Sequence, residues 1–107
     1  MPELPEVETI KNELLPHVLG REITGVTLFW EGIVKRPSAN DFCSRVIGRR
    51  ITGLQRRGKY LLFSLSIGEI LVMHMKMTGS LLLDSPDDRF TRAAIYLDNN
   101  TRIAFRD

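Results

Sequence analysis

Turn-forming residues divide the second half of the chain into short apolar segments, which suit β-strands better than helices. Ile67-Gly68 is a hairpin signal between two of these segments, and Asp98-Asn99-Asn100 is a stronger one near the end. A polar loop, 84–88, separates two further segments. The predicted strands are 51–55, 60–66, 69–75, 80–83, 91–97 and 101–106.

The first half of the chain contains two helix signals and one further strand. Pro5 suits a first helical turn, and apolar residues follow at helical spacing until Pro16 or Gly20, where we expect the helix to end. Ser38 precedes Asp41 by three residues, a capping box that opens a short helix, and Gly48 provides its stop. The loosely alternating segment 22–30 predicts a strand between these helices.

These elements predict an α+β fold: a two-layer antiparallel β-sandwich flanked by an N-terminal helix and a second short helix. We expect seven or eight strands and two packed sheets rather than a barrel. The 107 residues fit one domain with a real core. Trp30 and Phe63 are assigned to that core, and Cys43 is assigned to packing on the short helix.

Composition limits the classes of function. Cys43 is the single cysteine, so no intramolecular disulfide and no cysteine-based metal site is expected within the chain, and a reducing cytosol is the natural compartment. No run of 18 apolar residues and no basic-then-apolar leader occurs, so neither a membrane span nor a signal peptide is expected. A net charge of +2 is weak support for a nucleic-acid partner.

The distribution of charge is more informative than its sum. Residues 49–59 contain five cations and no acid, whereas acidic residues crowd the first 13 positions. This segregation suits a polyanion-binding face beside an acid/base centre. A solvated basic strand with no function would give the same pattern, and both interpretations stay open.

The beginning of the chain carries candidate covalent chemistry. If Met1 is removed, Pro2 becomes a secondary amine, and an unprotonated amine can attack electrophilic carbon and form a Schiff base. With Met1 attached, its nitrogen belongs to an amide and is not nucleophilic. Glu3 and Glu6 lie close enough in sequence to manage protons around it. The alternative is a simple helix start, although Pro5 already serves that purpose.

Three motifs together resemble the formamidopyrimidine-DNA glycosylases, bacterial base-excision repair enzymes. The motifs are Met1-Pro2-Glu3-Leu4-Pro5-Glu6-Val7-Glu8-Thr9, Arg56-Arg57-Gly58-Lys59-Tyr60-Leu61-Leu62, and His74 with Met77 and Gly79. The resemblance spans all 107 residues. It implies that the chain is the N-terminal catalytic domain of an enzyme that removes oxidised purines from DNA and cleaves the resulting abasic site.

The resemblance also implies catalytic roles. Pro2 would attack C1′ of the damaged nucleotide, displace the base and form an iminium, after which the 3′ and 5′ phosphates are eliminated. Glu3 would help to open the sugar ring and shuttle protons, and Glu6 would help to hold the sugar. Lys59 would grip a phosphate that flanks the lesion, for which a flexible ammonium is suited.

Further residues are expected to bind duplex DNA. By resemblance, His74 contacts a phosphate and Met77 enters the gap that the flipped lesion leaves, because an apolar wedge offsets part of the unstacking cost. Arg56 and Arg57 are assigned to DNA binding beside Lys59. A basic strand edge that discourages aggregation remains the alternative for this segment.

Two features depart from the family pattern. Arg89-Phe90-Thr91-Arg92 stands where many relatives have a Lys-His-x-His run, so a histidine role is not expected there. Relatives continue past the position of Asp107 into a further motif, a helical DNA-binding domain and a four-cysteine zinc finger. We therefore expect a truncated chain with no cofactor of its own, zinc belonging to the absent finger, and weak or no activity in isolation.

The sequence leaves three functions open. The first is the glycosylase and lyase, a monomer acting on duplex DNA in the bacterial cytoplasm. The second is a non-catalytic DNA-binding remnant that uses only the basic segment 49–59. The third is a tautomerase with an N-terminal proline base, which is disfavoured because Pro2 precedes an acidic helix rather than opening a hydrophobic strand.

Overall fold

The acid-rich start of the chain folds into a helix that presents one apolar stripe to the rest of the molecule. The computed structural model describes residues 4–76 and 79–107. Helix α1 is Leu4–Val18, and its side chains at Val7, Leu14 and Val18 are buried. The helix continues through Pro16, and Gly20 follows it with φ +81°, in the region that favours glycine.

The remaining elements are one more α-helix, two short 3₁₀ turns and seven strands within the described residues. They are β1 Ile23–Leu28, a 3₁₀ turn Glu31–Ile33, α2 Ala39–Val46, β2 Ile51–Arg57, β3 Tyr60–Leu65, a 3₁₀ turn Ser66–Gly68, β4 Ile70–His74, β5 Ser80–Leu83, β6 Thr91–Leu97 and β7 Arg102–Arg106. The predicted cap of α2 is confirmed, because the Asp41 N–H donates to the Ser38 Oγ at 3.1 Å. Gly48 has φ +91°, as its role as a helix stop requires.

The strands form two antiparallel sheets, as predicted. One sheet has the order β1-β6-β7-β5 and the other has the order β2-β3-β4. The second sheet is a simple meander, whereas the first brings β1 against β6, far along the chain. Helix α1 packs on β2 and β5, and α2 packs near β1. The α+β class and the two-sheet architecture are therefore confirmed.

The core lies between the two sheets and under α1. Phe63 is 1% exposed, which confirms its assignment to the core. Alternation along β3 and β4 explains the pattern, because every second side chain points inward. The inward side chains of these two strands are Leu61, Phe63, Leu65, Leu71 and Met73.

The assignment of Trp30 to the core is wrong. Strand β1 ends at Leu28, so Trp30 lies beyond the sheet, and its side chain is 52% exposed. Its ring packs closely against Gly32, where a Cβ would approach ring atoms to 2.5 Å. The Lys35 ammonium lies 5.6 Å from the ring centroid. Trp30 therefore organises the loop after β1 rather than the interior.

Cys43 lies half-buried on α2. Burial raises the pKa of its thiol, with a smaller contribution from the negative charge of Glu31. The thiol form is therefore favoured at neutral pH, and a thiol is a poor nucleophile. Partial burial and a raised pKa agree with the packing role expected from the sequence.

Candidate nucleic-acid interface

The candidate site residues come from three separate segments of the chain. Pro2, Glu3 and Met77 lie outside the described residues, so their assignments stay predictions. Glu6 lies exposed in the first turn of α1. The remaining candidates, Arg56, Arg57, Lys59 and His74, all lie at the end of the three-stranded sheet where β2 ends, β3 begins and β4 ends.

Lys59 is presented by a tight hairpin turn. Arg57 pairs with Tyr60, so Gly58 and Lys59 form a two-residue loop between β2 and β3. Gly58 has φ +59°, and two-residue hairpins favour glycine at such positions. A Cβ on Gly58 would meet no atom within 4 Å, so this side of the turn is open. The loop therefore leaves room for a ligand backbone beside Lys59.

The end of β4 is held against this turn by a backbone hydrogen bond. The Met75 N–H donates to the Lys59 carbonyl at 2.8 Å. Met75 is fully buried, whereas its neighbours His74 and Lys76 are exposed. The bond fixes the backbone of His74 relative to Lys59, and the resemblance implies that both residues contact phosphate.

An outer row of three side chains crosses the sheet at this end. Arg57, Tyr60 and His74 lie opposite one another on β2, β3 and β4, on the face turned away from the core. The Tyr60 and His74 rings stack, with centroids 4.2 Å apart and planes inclined by 15°. All three side chains are exposed. The row combines a cation, an aromatic ring and an imidazole on one open surface.

Arg56 is placed differently from its neighbour Arg57. Its Nε donates to the Glu8 carboxylate at 2.7 Å, and its Nη1 donates to the Gly58 carbonyl at 3.2 Å. Arg56 therefore joins α1 to the turn that carries Lys59. Two of its N–H groups are used inside the protein, which leaves fewer for DNA than the sequence interpretation assumed.

Glu8 is the centre of a small ion-pair network. Its second carboxylate oxygen lies 2.8 Å from the Lys11 ammonium. Hydrogen bonds from Lys11 and then from Arg56 lower the pKa of the Glu8 carboxyl below its ordinary value. The carboxylate is thus held ionised near the start of α1.

Sequence reasoning missed Tyr60, Glu8 and Lys76 as parts of this region. Lys76 is exposed and has φ +54°. The signal for Tyr60 was present in the alternation of β3 and β4. Residues directly opposite each other in an antiparallel pair point to the same face of the sheet. If residues 61, 63 and 65 share the inner face with 71, 73 and 75, odd-numbered residues lie opposite odd-numbered ones, so Tyr60 must lie opposite an even-numbered residue of β4. No comparable signal pairs Glu8 with Arg56, because a helix and a strand distant in sequence must first be packed together.

The described residues contain no group of three histidine, cysteine, aspartate or glutamate side chains that could hold a metal ion. The zinc finger that the resemblance implies stays a prediction. Of the helices in the described part of the chain, none has both the length and the apolar character required to cross a bilayer.

Comparison with known proteins places this geometry in a family. A family model described as the formamidopyrimidine-DNA glycosylase N-terminal domain matches residues 1–107. The formamidopyrimidine-DNA glycosylase of Carboxydothermus hydrogenoformans is 49% identical over 96 residues, covering 87% of this chain and 36% of that protein. The corresponding enzyme of Desulforamulus reducens is 42% identical, covering 100% of this chain and 40% of that protein.

Solved structures agree with these sequences. The Lactococcus lactis Fpg (MutM) in complex with DNA containing FAPY-dG superposes with a TM-score of 0.90 at 28% identity, covering 98% of this chain and 40% of that one. The same enzyme bound to DNA with an abasic site gives the same values. The chain spans 36–40% of the length of the relatives named here. It belongs to the formamidopyrimidine-DNA glycosylase family, whose N-terminal-domain model it matches over residues 1–107.

Proposed function

We propose that this chain provides the catalytic domain of a DNA glycosylase with abasic-site lyase activity, acting on oxidised purines in duplex DNA. Membership of the family supports base-excision repair as the process. Relatives crystallised with FAPY-dG and with abasic-site DNA support damaged duplex DNA as the partner. We also propose that the protein is a monomer and that it acts on DNA in the bacterial cytoplasm.

One observation carries the proposal beyond family membership. Arg56 bonds to both Glu8 of α1 and Gly58 of the turn that precedes Lys59. The Gly20 N–H after α1 donates to the Ile51 carbonyl at the start of β2, so α1 begins at the opposite end of that strand, where His74 is exposed and Lys59 is half-buried. A nucleophile in the segment before α1 and the phosphate contacts of Lys59 and His74 would then serve one site. Covalent chemistry on a nucleotide needs this combination, because phosphate contacts position the DNA and do not themselves break bonds.

The proposed reaction starts after removal of Met1. The neutral Pro2 nitrogen forms a bond to C1′ as the bond from C1′ to the base breaks, and the proton that the nitrogen loses neutralises the departing base. The C1′–O4′ bond then opens as O4′ takes a proton from Glu3, and the nitrogen lone pair forms the iminium. Loss of a proton from C2′ expels the 3′ phosphate, and a second elimination expels the 5′ phosphate. Glu6 holds the sugar, and Lys59 and His74 hold the flanking phosphates.

Borohydride trapping on an abasic duplex tests the covalent step. Intact mass first establishes that Met1 is absent. We expect the processed chain to give a reducible covalent adduct. Pro2→Gly should lower the trapping rate by at least about tenfold, or about 1.4 kcal/mol in the barrier. Glu3→Gln should also slow trapping. Pro5→Ala is the matched control, because Pro5 opens the helix but has no free amine.

The outcomes separate this proposal from its alternatives. The non-catalytic DNA-binding remnant is favoured if the processed chain binds the duplex in a salt-dependent way but gives no adduct. The same must hold when the processed chain is joined to the downstream half of a relative. Keto–enol turnover lost in Pro2→Gly, with no adduct, favours the tautomerase. Equal trapping by the wild type and Pro2→Gly contradicts Pro2 as the nucleophile.

A further inference from the structure

Tyr60 has a placement that the fold itself does not explain. The core requires the inward side chains of β3 and β4, and Tyr60 points to the opposite face. Its side chain is 45% exposed, although a tyrosine has a large apolar ring. The exposed ring nevertheless has a packing partner, because it lies against His74 on the neighbouring strand. The stacking contact lies within the outer row and contributes nothing to the packing of the interior.

The geometry of the stack constrains the imidazole of His74. The two rings are nearly parallel, with planes inclined by 15° and centroids 4.2 Å apart. A stacked ring covers one face of the imidazole and leaves its edge, which carries both nitrogens, in solvent. Rotation of the imidazole out of this plane would break the contact. The stack therefore fixes the plane in which the two imidazole nitrogens lie before any ligand arrives.

The surroundings of the stack are positively charged, and their backbone is hydrogen-bonded. Arg57 lies on the other side of Tyr60 in the outer row, and Lys59 is the preceding residue. The bond from Met75 N–H to the Lys59 carbonyl holds the end of β4 to the turn. An anion that reaches the outer row would thus meet an imidazole edge whose backbone and ring plane are both already set. Preorganisation of this kind reduces the entropy lost on binding.

We propose that Tyr60 is a positioning residue for His74, holding the imidazole edge ready to bond a DNA phosphate oxygen. The inference rests on the proposed function, because it takes duplex DNA as the ligand of His74. Tyr60 acts through the stack and does not itself contact the phosphate. The aromatic ring, rather than the hydroxyl, carries this role, since the ring makes the stacking contact.

The test combines a spectroscopic and a binding measurement on the full chain. Ring currents from Tyr60 should shift the His74 imidazole protons upfield in the wild type and in Tyr60→Phe, and the shift should vanish in Tyr60→Leu. Fluorescence anisotropy with a labelled abasic duplex at fixed salt gives the affinity. We expect Tyr60→Leu and His74→Ala each to weaken binding by about fivefold, the scale of one hydrogen bond. Tyr60→Phe should bind as the wild type does.

The double variant isolates the coupling between the two residues. Tyr60→Leu added to His74→Ala should weaken binding no further if Tyr60 acts only through His74. Additive losses would overturn the inference by showing that Tyr60 contacts DNA independently. Wild-type affinity in Tyr60→Leu, when His74→Ala binds weakly, would also overturn it by showing that His74 binds without the stack. Wild-type affinity in His74→Ala would instead remove the DNA contact of His74 from the proposed function, and the positioning role with it. Tyr60→Thr, a residue that strands favour, replaces the leucine variant if that variant does not fold.

Discussion

Ile67 and Asn100 occupy nearly the same region of backbone conformation in two different hairpins. Ile67 has φ +57° and Asn100 has φ +64°. Asparagine tolerates this left-handed region, whereas a β-branched side chain is strained in it. Ile67 also has no compensating burial, since it is 75% exposed. The turn between β3 and β4 is thus formed by a residue poorly suited to it.

Replacing Ile67 by asparagine should stabilise the protein. We expect Ile67→Asn to raise the free energy of unfolding by about 1 kcal/mol through relief of backbone strain. For a domain of this size, that gain corresponds to a rise in Tm of about 5 °C. Thermal and urea denaturation measure both quantities. Ile67→Val keeps the branch at Cβ and should change little, and a loss of stability in Ile67→Asn would contradict the strain.

At the residue scale, the sequence predicted what depends on neighbouring residues. The hairpin at Ile67-Gly68 and the cap at Ser38 were found because turns and caps use local hydrogen bonds. The turn itself is Ser66–Gly68, one residue longer than predicted, and this length sets Tyr60 opposite His74. Trp30 was misassigned because hydrophobicity alone does not show where a strand ends.

At the scale of elements, helix α1 is attached to the second sheet in two ways. Its apolar stripe packs on the core, and Glu8 pairs with Arg56 on β2. The ion pair is partly exposed, so most of the attachment comes from the apolar stripe. The polar contact sets the rotation of the helix, because it fixes one side chain of α1 against one residue of β2.

The Glu8 network predicts a dependence of stability on pH. The pKa of Glu8 is lowered in the folded protein from about 4.5, so its contribution is present above that value and is lost as the pH falls through the folded pKa. We expect the wild type to lose more stability between about pH 5 and about pH 3 than Glu8→Gln does. Urea denaturation at several pH values measures the difference.

Glu13→Gln is the matched control for this prediction. Glu13 lies exposed on the same helix, and its replacement removes the same charge without removing the contact to Arg56. Its pH dependence should follow that of the wild type. Identical curves for Glu8→Gln and Glu13→Gln would mean that the pairing with Arg56 and Lys11 contributes nothing specific.

Helices and strands were predicted well as elements, and the two predicted hairpins gave the pairs β3–β4 and β6–β7, but the long-range partners were not predicted. The apolar spacing after Pro5 predicted α1, and alternation predicted the strands of the meander. Nothing in the sequence pattern placed β1 beside β6, because that pairing depends on packing across most of the chain. The position of Arg56 was missed for the same reason, since a basic residue in a basic segment has the same sequence signature whether it faces DNA or a helix.

At the scale of the whole molecule, the two sheets share one apolar layer. Phe63 lies at its centre on β3 and is 1% exposed, and side chains of both sheets and of α1 belong to the same buried cluster. A domain of this kind is stable by only about 5–15 kcal/mol, so one large cavity removes a substantial fraction of that margin.

Truncation of Phe63 should therefore weaken the entire domain. We expect Phe63→Ala to lower the free energy of unfolding by about 3–5 kcal/mol through lost burial and a residual cavity. Phe63→Leu should lower it by less than about 1.5 kcal/mol, because most of the volume is kept. Urea denaturation gives both values. A change below about 1 kcal/mol in Phe63→Ala would show that the sheets repack or that this layer contributes little.

The pairing of β1 with β6 affects how the chain can fold while it is being synthesised. Strands β2, β3 and β4 can pair as soon as they leave the ribosome, because each pairs with its neighbour in sequence. Ile23 at the start of β1 bonds to Gly48 and Arg49, but the rest of the strand must wait for β6, which at about 5–20 residues per second takes several seconds. During that interval an unpaired strand is available to wrong partners, so crowded polysomes and slow codons between β1 and β6 should favour misassembly of the four-stranded sheet over that of the meander.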